Sequence, residues 1–137
     1  MPNNSEKIYQ GWFKKAEEDE AAARDIIEAA HFFSPACFHS QQMAEKYLKG
    51  LLIYHNKNFV KTHDLIQLEE LLADIEPEIK KYEIEITTLN RYYIETRYPG
   101  DYPEFNLEEA QEAFKAAQRI KEFVLDKISA QSGSVPV

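Results

Sequence analysis

The chain has 137 residues and a formal net charge of −8, with 16 basic residues against 24 acidic ones. Its length fits one domain that can bury about 70% of the surface its unfolded form would expose. The single cysteine, Cys37, excludes an internal disulfide framework and a cysteine-rich zinc site. Its apolar neighbours predict a buried, small hydrophobic side chain. The acidic balance disfavours a general electrostatic attraction to nucleic acid and leaves only a local basic surface for that role.

No apolar run approaches the roughly 20 residues that a membrane-spanning helix needs. The polar start "MPNNSEK" lacks the apolar core of a signal peptide. We therefore expect a cytoplasmic protein that makes no use of a membrane.

The first predicted helix has an apolar stripe with a single polar interruption. Its members recur at alternating spacings of four and three residues: Trp12, Ala16, Asp19, Ala23, Ile26 and Ala30. The pattern predicts that this helix ends near His31. Ser34 followed by Pro35 predicts an N-cap and a first-turn proline, which begin a second helix that ends near His55.

The polar loop "NKNFVK" follows, and Thr62 is predicted to cap a shorter third helix. Pro77 is predicted to begin a fourth helix, whose apolar stripe continues directly into residues 94–106, "IETRYPGDYPEFN". The prolines and glycine of that stretch cannot continue a helix. Asn106 and Glu109 have the spacing of a capping box and predict the start of a fifth helix.

These patterns predict one all-α domain, an up-and-down helical bundle of about five helices over residues 5–128, with a disordered tail at residues 129–137. Apolar residues also lie off the main stripes and indicate a second buried surface, which a homodimer would supply. They are Tyr47, Tyr54, Ile84, Tyr92 and Ile94.

The second helix carries a polar ladder at spacings of three and four residues: His39, Gln42, Glu45, Lys46 and Lys49. It belongs to the clearest basic block of the chain, residues 36–61. Spacing alone favours an ordinary solvated helix face, because exposed charged runs are common.

Three ordered motifs, "HSQQMAEKYLKGLL", "THDL" and "YYIETRYPGDY", resemble the HEPN domain family. The resemblance covers nearly all of residues 12–128. It implies a helical bundle, usually dimeric, with a role in nucleotide or RNA handling. It also implies a minimal nucleotidyltransferase as partner, often encoded beside the HEPN protein.

In the ribonuclease toxins of this family, an arginine near the end of a late helix is followed, after four to six intervening residues, by a histidine. Arg97 resembles that arginine, but four intervening residues lead to Tyr102. An unperturbed tyrosine, with a pKa of about 10, is a poor general base at pH 7. Arg91 also lacks a suitable histidine. The nuclease motif is therefore absent, and we expect a protein that is not an enzyme.

The same stretch keeps residues suited to binding. Asn90, Tyr93 and Arg97 lie three and four positions apart on one helical edge. Arginine can bind phosphate through two hydrogen bonds, and Tyr98 or Tyr102 can stack on a base.

The leading hypothesis is a HEPN-domain binding or regulatory protein, part of a toxin–antitoxin-like pair with a nucleotidyltransferase. It would bind a nucleotide or RNA phosphate at Arg97, with Lys46 and Lys49 as further candidates. One alternative is a metal-independent RNase in which Tyr102 replaces the usual histidine. Another is a purely structural interaction protein, in which Arg97 pairs with Asp101 or caps the helix.

The four histidines lack a spacing typical of metal ligands, because a helix break separates His31 from His39 and a loop separates His55 from His63. His63 is expected to orient the loop before the third helix. There is no glycine-rich phosphate loop. We therefore expect neither a metal nor a cofactor.

Overall fold

The computed structural model describes residues 4–29, 32–59, 61–93 and 104–131. Its elements are α1 (Asn4–Ala29), α2 (Ser34–Tyr54), α3 (Leu65–Ala73), a 3₁₀ helix (Pro77–Tyr82), α4 (Glu83–Asn90) and α5 (Leu107–Gln131). No strand occurs in these four ranges, and the predicted all-α fold is confirmed. Within them, no helix is long and apolar enough to cross a membrane.

The centre of the bundle is α2. It packs most extensively against α1 and α5, and it also contacts α3 and α4. Because neighbours surround it, it has buried residues on more than one side. This explains part of the apolar surplus seen in the sequence, since Tyr47 and Tyr92 are fully buried within one chain. Ile84 is 80% exposed, and Ile94 lies outside the described residues.

Two predicted helix starts were wrong. Asp64, not Thr62, caps α3, because its carboxylate accepts a hydrogen bond from the backbone N–H of Ile66 at 3.0 Å. The Thr62 hydroxyl instead accepts from the backbone N–H of Asp64 at 3.0 Å. At α2, Ser34 is the first helical residue rather than the cap, and its hydroxyl accepts from the backbone N–H of Phe105 at 2.9 Å.

The predicted fourth helix was also wrong in part. Its first section is the 3₁₀ helix Pro77–Tyr82, and α4 proper begins at Glu83 and ends at Asn90. The three-residue spacing from Ile79 to Tyr82 fits a 3₁₀ helix as well as an α-helix, so the apolar pattern could not distinguish them. Residues 94–103, which the prediction joined to this helix, lie outside the described residues.

The fifth helix begins as predicted. The backbone N–H of Asn106 donates to the Glu109 carboxylate at 3.1 Å, and the backbone N–H of Glu109 donates to the Asn106 side chain at 2.8 Å. This reciprocal pair is a capping box. The helix ends at Gln131, beyond the predicted domain boundary at residue 128. The rest of the predicted tail, residues 132–137, lies outside the described residues.

Gly50 allows α1 to approach α2 closely. A Cβ atom at this position would lie 2.4 Å from Phe13 Cε1. The Phe13 ring is held between Tyr9 and Tyr47, with ring centroids 5.6 Å and 5.4 Å away. It therefore has little freedom to move aside.

We expect Gly50→Ala to lower the free energy of unfolding by about 1–3 kcal/mol, because the methyl group overpacks the contact with Phe13. Gly11→Ala is the matched control, since a Cβ atom at Gly11 meets nothing within 4 Å. Its better helix propensity should raise stability by up to about 1 kcal/mol. Urea unfolding monitored by circular dichroism measures both, and equal effects of the two variants would contradict this account.

Candidate functional site

The polar ladder of α2 is largely buried. Glu45 and Lys49 are only 2% and 5% exposed, so the interpretation as a solvated face was wrong for these two residues. Spacing within one helix shows which residues share a face but not which other elements cover it. In the fold, α1 and the loop between α2 and α3 cover this face.

Several hydrogen-bond donors surround the Glu45 carboxylate. Its carboxylate accepts from Lys49 Nζ at 2.9 Å and from Gln42 Nε2 at 3.3 Å. The Nδ1 atom of His63 lies 3.0 and 3.1 Å from its two oxygens. The same loop is fixed a second time, because Gln41 Nε2 donates to the carbonyl of His63 at 3.0 Å. A buried carboxylate that is paired in this way holds the loop against α2.

A cleft of about 440 Å³ opens in front of this network. Trp12 contributes from α1, four residues from α2, and three from the loop between α2 and α3. The lining residues are Trp12, Gln42, Glu45, Lys46, Lys49, Phe59, Lys61 and His63. Three lysines face one glutamate there, so the cleft is locally basic although the chain carries a net charge of −8.

Two aromatic side chains flank the cleft. The rings of Trp12 and Phe59 have centroids 6.1 Å apart and an interplanar angle of 67°. Lys49 Nζ lies 5.5 Å from the Trp12 ring centroid and 5.6 Å from that of Phe59. These are cation–π distances. The buried ammonium is therefore stabilised by two aromatic rings as well as by a carboxylate.

A second carboxylate supports the cleft from α1. Asp19 is 7% exposed and contacts Lys46 Nζ at 2.6 Å and His39 Nδ1 at 2.9 Å. Burial raises the pKa of Asp19, but the hydrogen bonds from His39 and Lys46 outweigh it and hold the pKa below its usual value of 3.8. The pair between Asp19 and Lys46 ties α1 to the ladder of α2.

The structure brings together four of the seven predicted ligand residues at or near the cleft. Lys46 and Lys49 line it. Tyr93 stacks on His63, with centroids 4.8 Å apart and planes at 18°. Asn90 has a structural contact, because its Oδ1 accepts from the backbone N–H of Leu65 at 2.8 Å.

The other predicted site residues, Arg97, Tyr98 and Tyr102, lie outside the described residues. The predicted role of His63 in orienting the loop is confirmed by its bond to Glu45. In the parts of the chain that the structure describes, no group of three or more His, Cys, Asp or Glu could hold a metal ion.

Sequence reasoning missed several residues of this site. Trp12 was assigned to the apolar stripe of α1 and Asp19 to its polar interruption, whereas they lie at the cleft and behind Lys46. Phe59 was not singled out at all. Lys61 could have been identified from the sequence, because it belongs to the basic block of residues 36–61.

Cys37 is buried, as predicted. Burial, with a smaller contribution from the nearby Glu109 carboxylate, raises the pKa of its thiol to about 12. A thiol needs its thiolate form to act as a nucleophile. Cys37 therefore belongs to the core and not to a reactive site.

A family model for the HEPN domain matches residues 9–128. The chain belongs to the HEPN domain family. It is 26% identical to a protein of Methanocaldococcus jannaschii named "Putative toxin MJ1304", and the match covers 89% of each chain. The predicted resemblance is thereby confirmed.

Two solved structures share the fold of this HEPN chain. TT1696 from Thermus thermophilus is 30% identical, with a TM-score of 0.71, and the match covers 87% of this chain and 97% of that one. ST0689, described as an archaeal HEPN homologue, is 31% identical, with a TM-score of 0.68 and coverage of 88% and 97%.

We expect Asp19→Asn to weaken the acid sensitivity of folding. A depressed pKa means that ionised Asp19 stabilises the folded state above its unfolded pKa, and this contribution is lost as the pH falls through the folded pKa. The stability of the wild-type chain should therefore fall more steeply below about pH 4 than that of Asp19→Asn. At pH 7 the variant should be about 1–3 kcal/mol less stable, because Lys46 and His39 lose an ionised partner.

Urea unfolding at pH 7, 4 and 3 measures the difference. Asp25→Asn replaces an exposed aspartate of the same helix and should follow the wild type at each pH. Parallel pH profiles for Asp19→Asn and the wild type would contradict the assignment.

Proposed function

We propose that this HEPN protein is a binding or regulatory member of a toxin–antitoxin-like system and that it binds the phosphate of a nucleotide or RNA in the cleft between α1, α2 and the following loop. The toxin name of the M. jannaschii relative supports the first part. The cleft supports the second. We further propose that the protein works in the cytoplasm.

The observation that carries this proposal is the convergence of Lys46, Lys49 and Lys61 on one cleft of an acidic protein. A locally positive, partly enclosed surface concentrates anionic ligands. The three lysines differ in their freedom to contact a ligand. Lys49 is nearly buried against Glu45, Lys46 is 23% exposed, and Lys61 is exposed. Lys46 and Lys61 are therefore the direct contacts, and Lys49 contributes its charge from behind.

The aromatic walls suit the nucleoside part of such a ligand. Trp12 and Phe59 flank the lysines, and bases stack on aromatic faces with little dependence on sequence. A phosphate held by the lysines would leave an attached base close to these rings. The cleft thus offers both kinds of contact that a nucleotide needs.

Arg97 completes the proposal. It lies four residues after Tyr93, which stacks on His63 at the edge of the site. We propose that Arg97 adds a two-pronged phosphate contact and that Tyr98 and Tyr102 stack on the ligand. A homodimer and a minimal nucleotidyltransferase remain the proposed partners.

We expect Lys61→Gln to weaken the binding of nucleotides or short single-stranded RNA about tenfold, because a charge-assisted contact to phosphate is lost. Lys115→Gln is the control, since Lys115 is an exposed lysine on α5 that does not line the cleft. Arg97→Ala should weaken binding at least as much. Isothermal titration at two salt concentrations measures all four proteins, and affinity should fall as salt rises.

The outcome also separates the alternatives. Equal affinities for Lys61→Gln, Lys115→Gln and the wild type would show that the ligand does not bind in the cleft. RNA should be recovered intact after incubation with the wild type. Cleavage that disappears in Tyr102→Phe would instead favour the RNase.

We expect the chain to form a dimer in solution that buries Ile84, the exposed apolar residue of α4. A lysine at this position would have to be desolvated in the interface, so Ile84→Lys should raise the dissociation constant at least tenfold. Ile8→Lys, which alters an exposed isoleucine on α1, is the control. Analytical ultracentrifugation at micromolar concentrations measures the dissociation constant of the dimer. A monomeric wild type would contradict this prediction.

A further inference from the structure

The imidazole of His63 is held in one orientation. Its Nδ1 atom lies 3.0 and 3.1 Å from the two oxygens of Glu45. A carboxylate only accepts hydrogen bonds, so Nδ1 carries the proton in this contact. The other ring nitrogen, Nε2, is therefore the one available to a ligand, and the side chain is 41% exposed at the cleft.

Four further contacts keep this arrangement in place. Tyr93 stacks on the imidazole at 18°. Gln41 binds the backbone carbonyl of His63. Glu45 is itself fixed by Lys49 and by Gln42. A histidine whose ring is oriented by a buried carboxylate can present its second nitrogen to a ligand without first losing side-chain freedom.

His63 joins Lys46 and Lys61 around the same cleft. These three side chains are partly or fully exposed and come from α2 and the loop that follows it. The volume of about 440 Å³ lies within the range of roughly 300–1,000 Å³ typical of small-molecule sites. A cleft of these dimensions fits a compact anion better than it fits a long polynucleotide.

From this geometry we propose that the cleft selects a terminal phosphate monoester, with His63 as the residue that positions it. The inference rests on the proposed function and narrows its ligand. A terminal phosphate has three non-bridging oxygens, enough to meet His63, Lys46 and Lys61 at once. An internal phosphodiester has two, and its chain continues on both sides. The phosphate can belong to a free mononucleotide or to the end of an oligonucleotide.

The proposal makes binding depend on pH. The imidazolium form of a histidine is lost as the pH rises, and a phosphate monoester loses its second proton near pH 6. The imidazolium form donates from Nε2 to a phosphate oxygen, so affinity should fall as the pH rises above neutrality. The decline can reach tenfold per pH unit where the complex binds one more proton than the free protein and ligand. The charged or titratable groups that contact His63, adjoin it in the chain or line its cleft are Glu45, Lys46, Lys49, Lys61, Asp64 and Tyr93. Asp19 and His39 lie behind Lys46.

The chain contains its own probe for this site. It has a single tryptophan, and that residue, Trp12, lines the cleft. The first experiment titrates wild-type protein with adenosine 5′-monophosphate, adenosine, and one short single-stranded RNA with either a 5′-phosphate or a 5′-hydroxyl, and follows Trp12 fluorescence. The phosphorylated member of each pair should bind at least about tenfold tighter. The mononucleotide and the RNA arms distinguish a free ligand from a strand end.

The second experiment repeats the titrations of the phosphorylated ligands between pH 5.5 and 8.5 with His63→Gln. Glutamine can still donate to Glu45 but does not titrate. The variant should bind more weakly at pH 6.5 and should lose the decline in affinity above pH 7. A melting curve checks that His63→Gln folds. If the variant does not fold, the comparison of phosphorylated with unphosphorylated ligands on the wild type still tests the terminal-phosphate inference.

The outcomes separate this inference from the proposed function. Equal binding of the 5′-phosphate and 5′-hydroxyl RNAs, weakened alike by Lys61→Gln, would refute the terminal-phosphate inference and leave the proposed function standing. An unchanged pH profile in folded His63→Gln would refute the role of His63. If neither nucleotide nor RNA binds the wild type at all, both proposals fail.

Discussion

The site depends on the burial of one carboxylate, that of Glu45. A buried ion is costly unless charge partners and hydrogen bonds compensate for the water it loses. Lys49, Gln42 and His63 provide that compensation, and the loss of any one would leave the carboxylate short of a donor. The loop that carries His63 therefore has to stay on α2. The cleft exists because this requirement fixes two of its walls.

The third wall follows from the packing of α1. Phe13 touches α2 where Gly50 has no side chain, and Asp19 pairs with Lys46 further along the same two helices. These two contacts fix the axial position of α1. Trp12 precedes Phe13 in the chain, so its place at the cleft is set by core packing rather than by any interaction of its own with a ligand.

What could be predicted from the sequence was local. The capping box of Asn106 and Glu109 depends on two residues three positions apart, and it formed as expected. The prediction of where the third helix begins was wrong because Thr62 and Asp64 can both cap a helix, and only the packing of the loop decides between them. The burial of Glu45 was not predicted, for a related reason. Its cover comes from residues distant in sequence, which helical spacing does not report.

The balance of charge explains why such a cleft suits a compact ligand. Asp19 and Glu45 partly neutralise the three lysines, so one net positive charge remains when His63 is neutral and two when it is an imidazolium. Proteins that bind nucleic acid strongly neutralise many phosphates along the strand. Here the surrounding chain is strongly acidic and repels an extended polyanion. A ligand with its charge concentrated in one phosphate gains the attraction of the cleft and meets least of that repulsion.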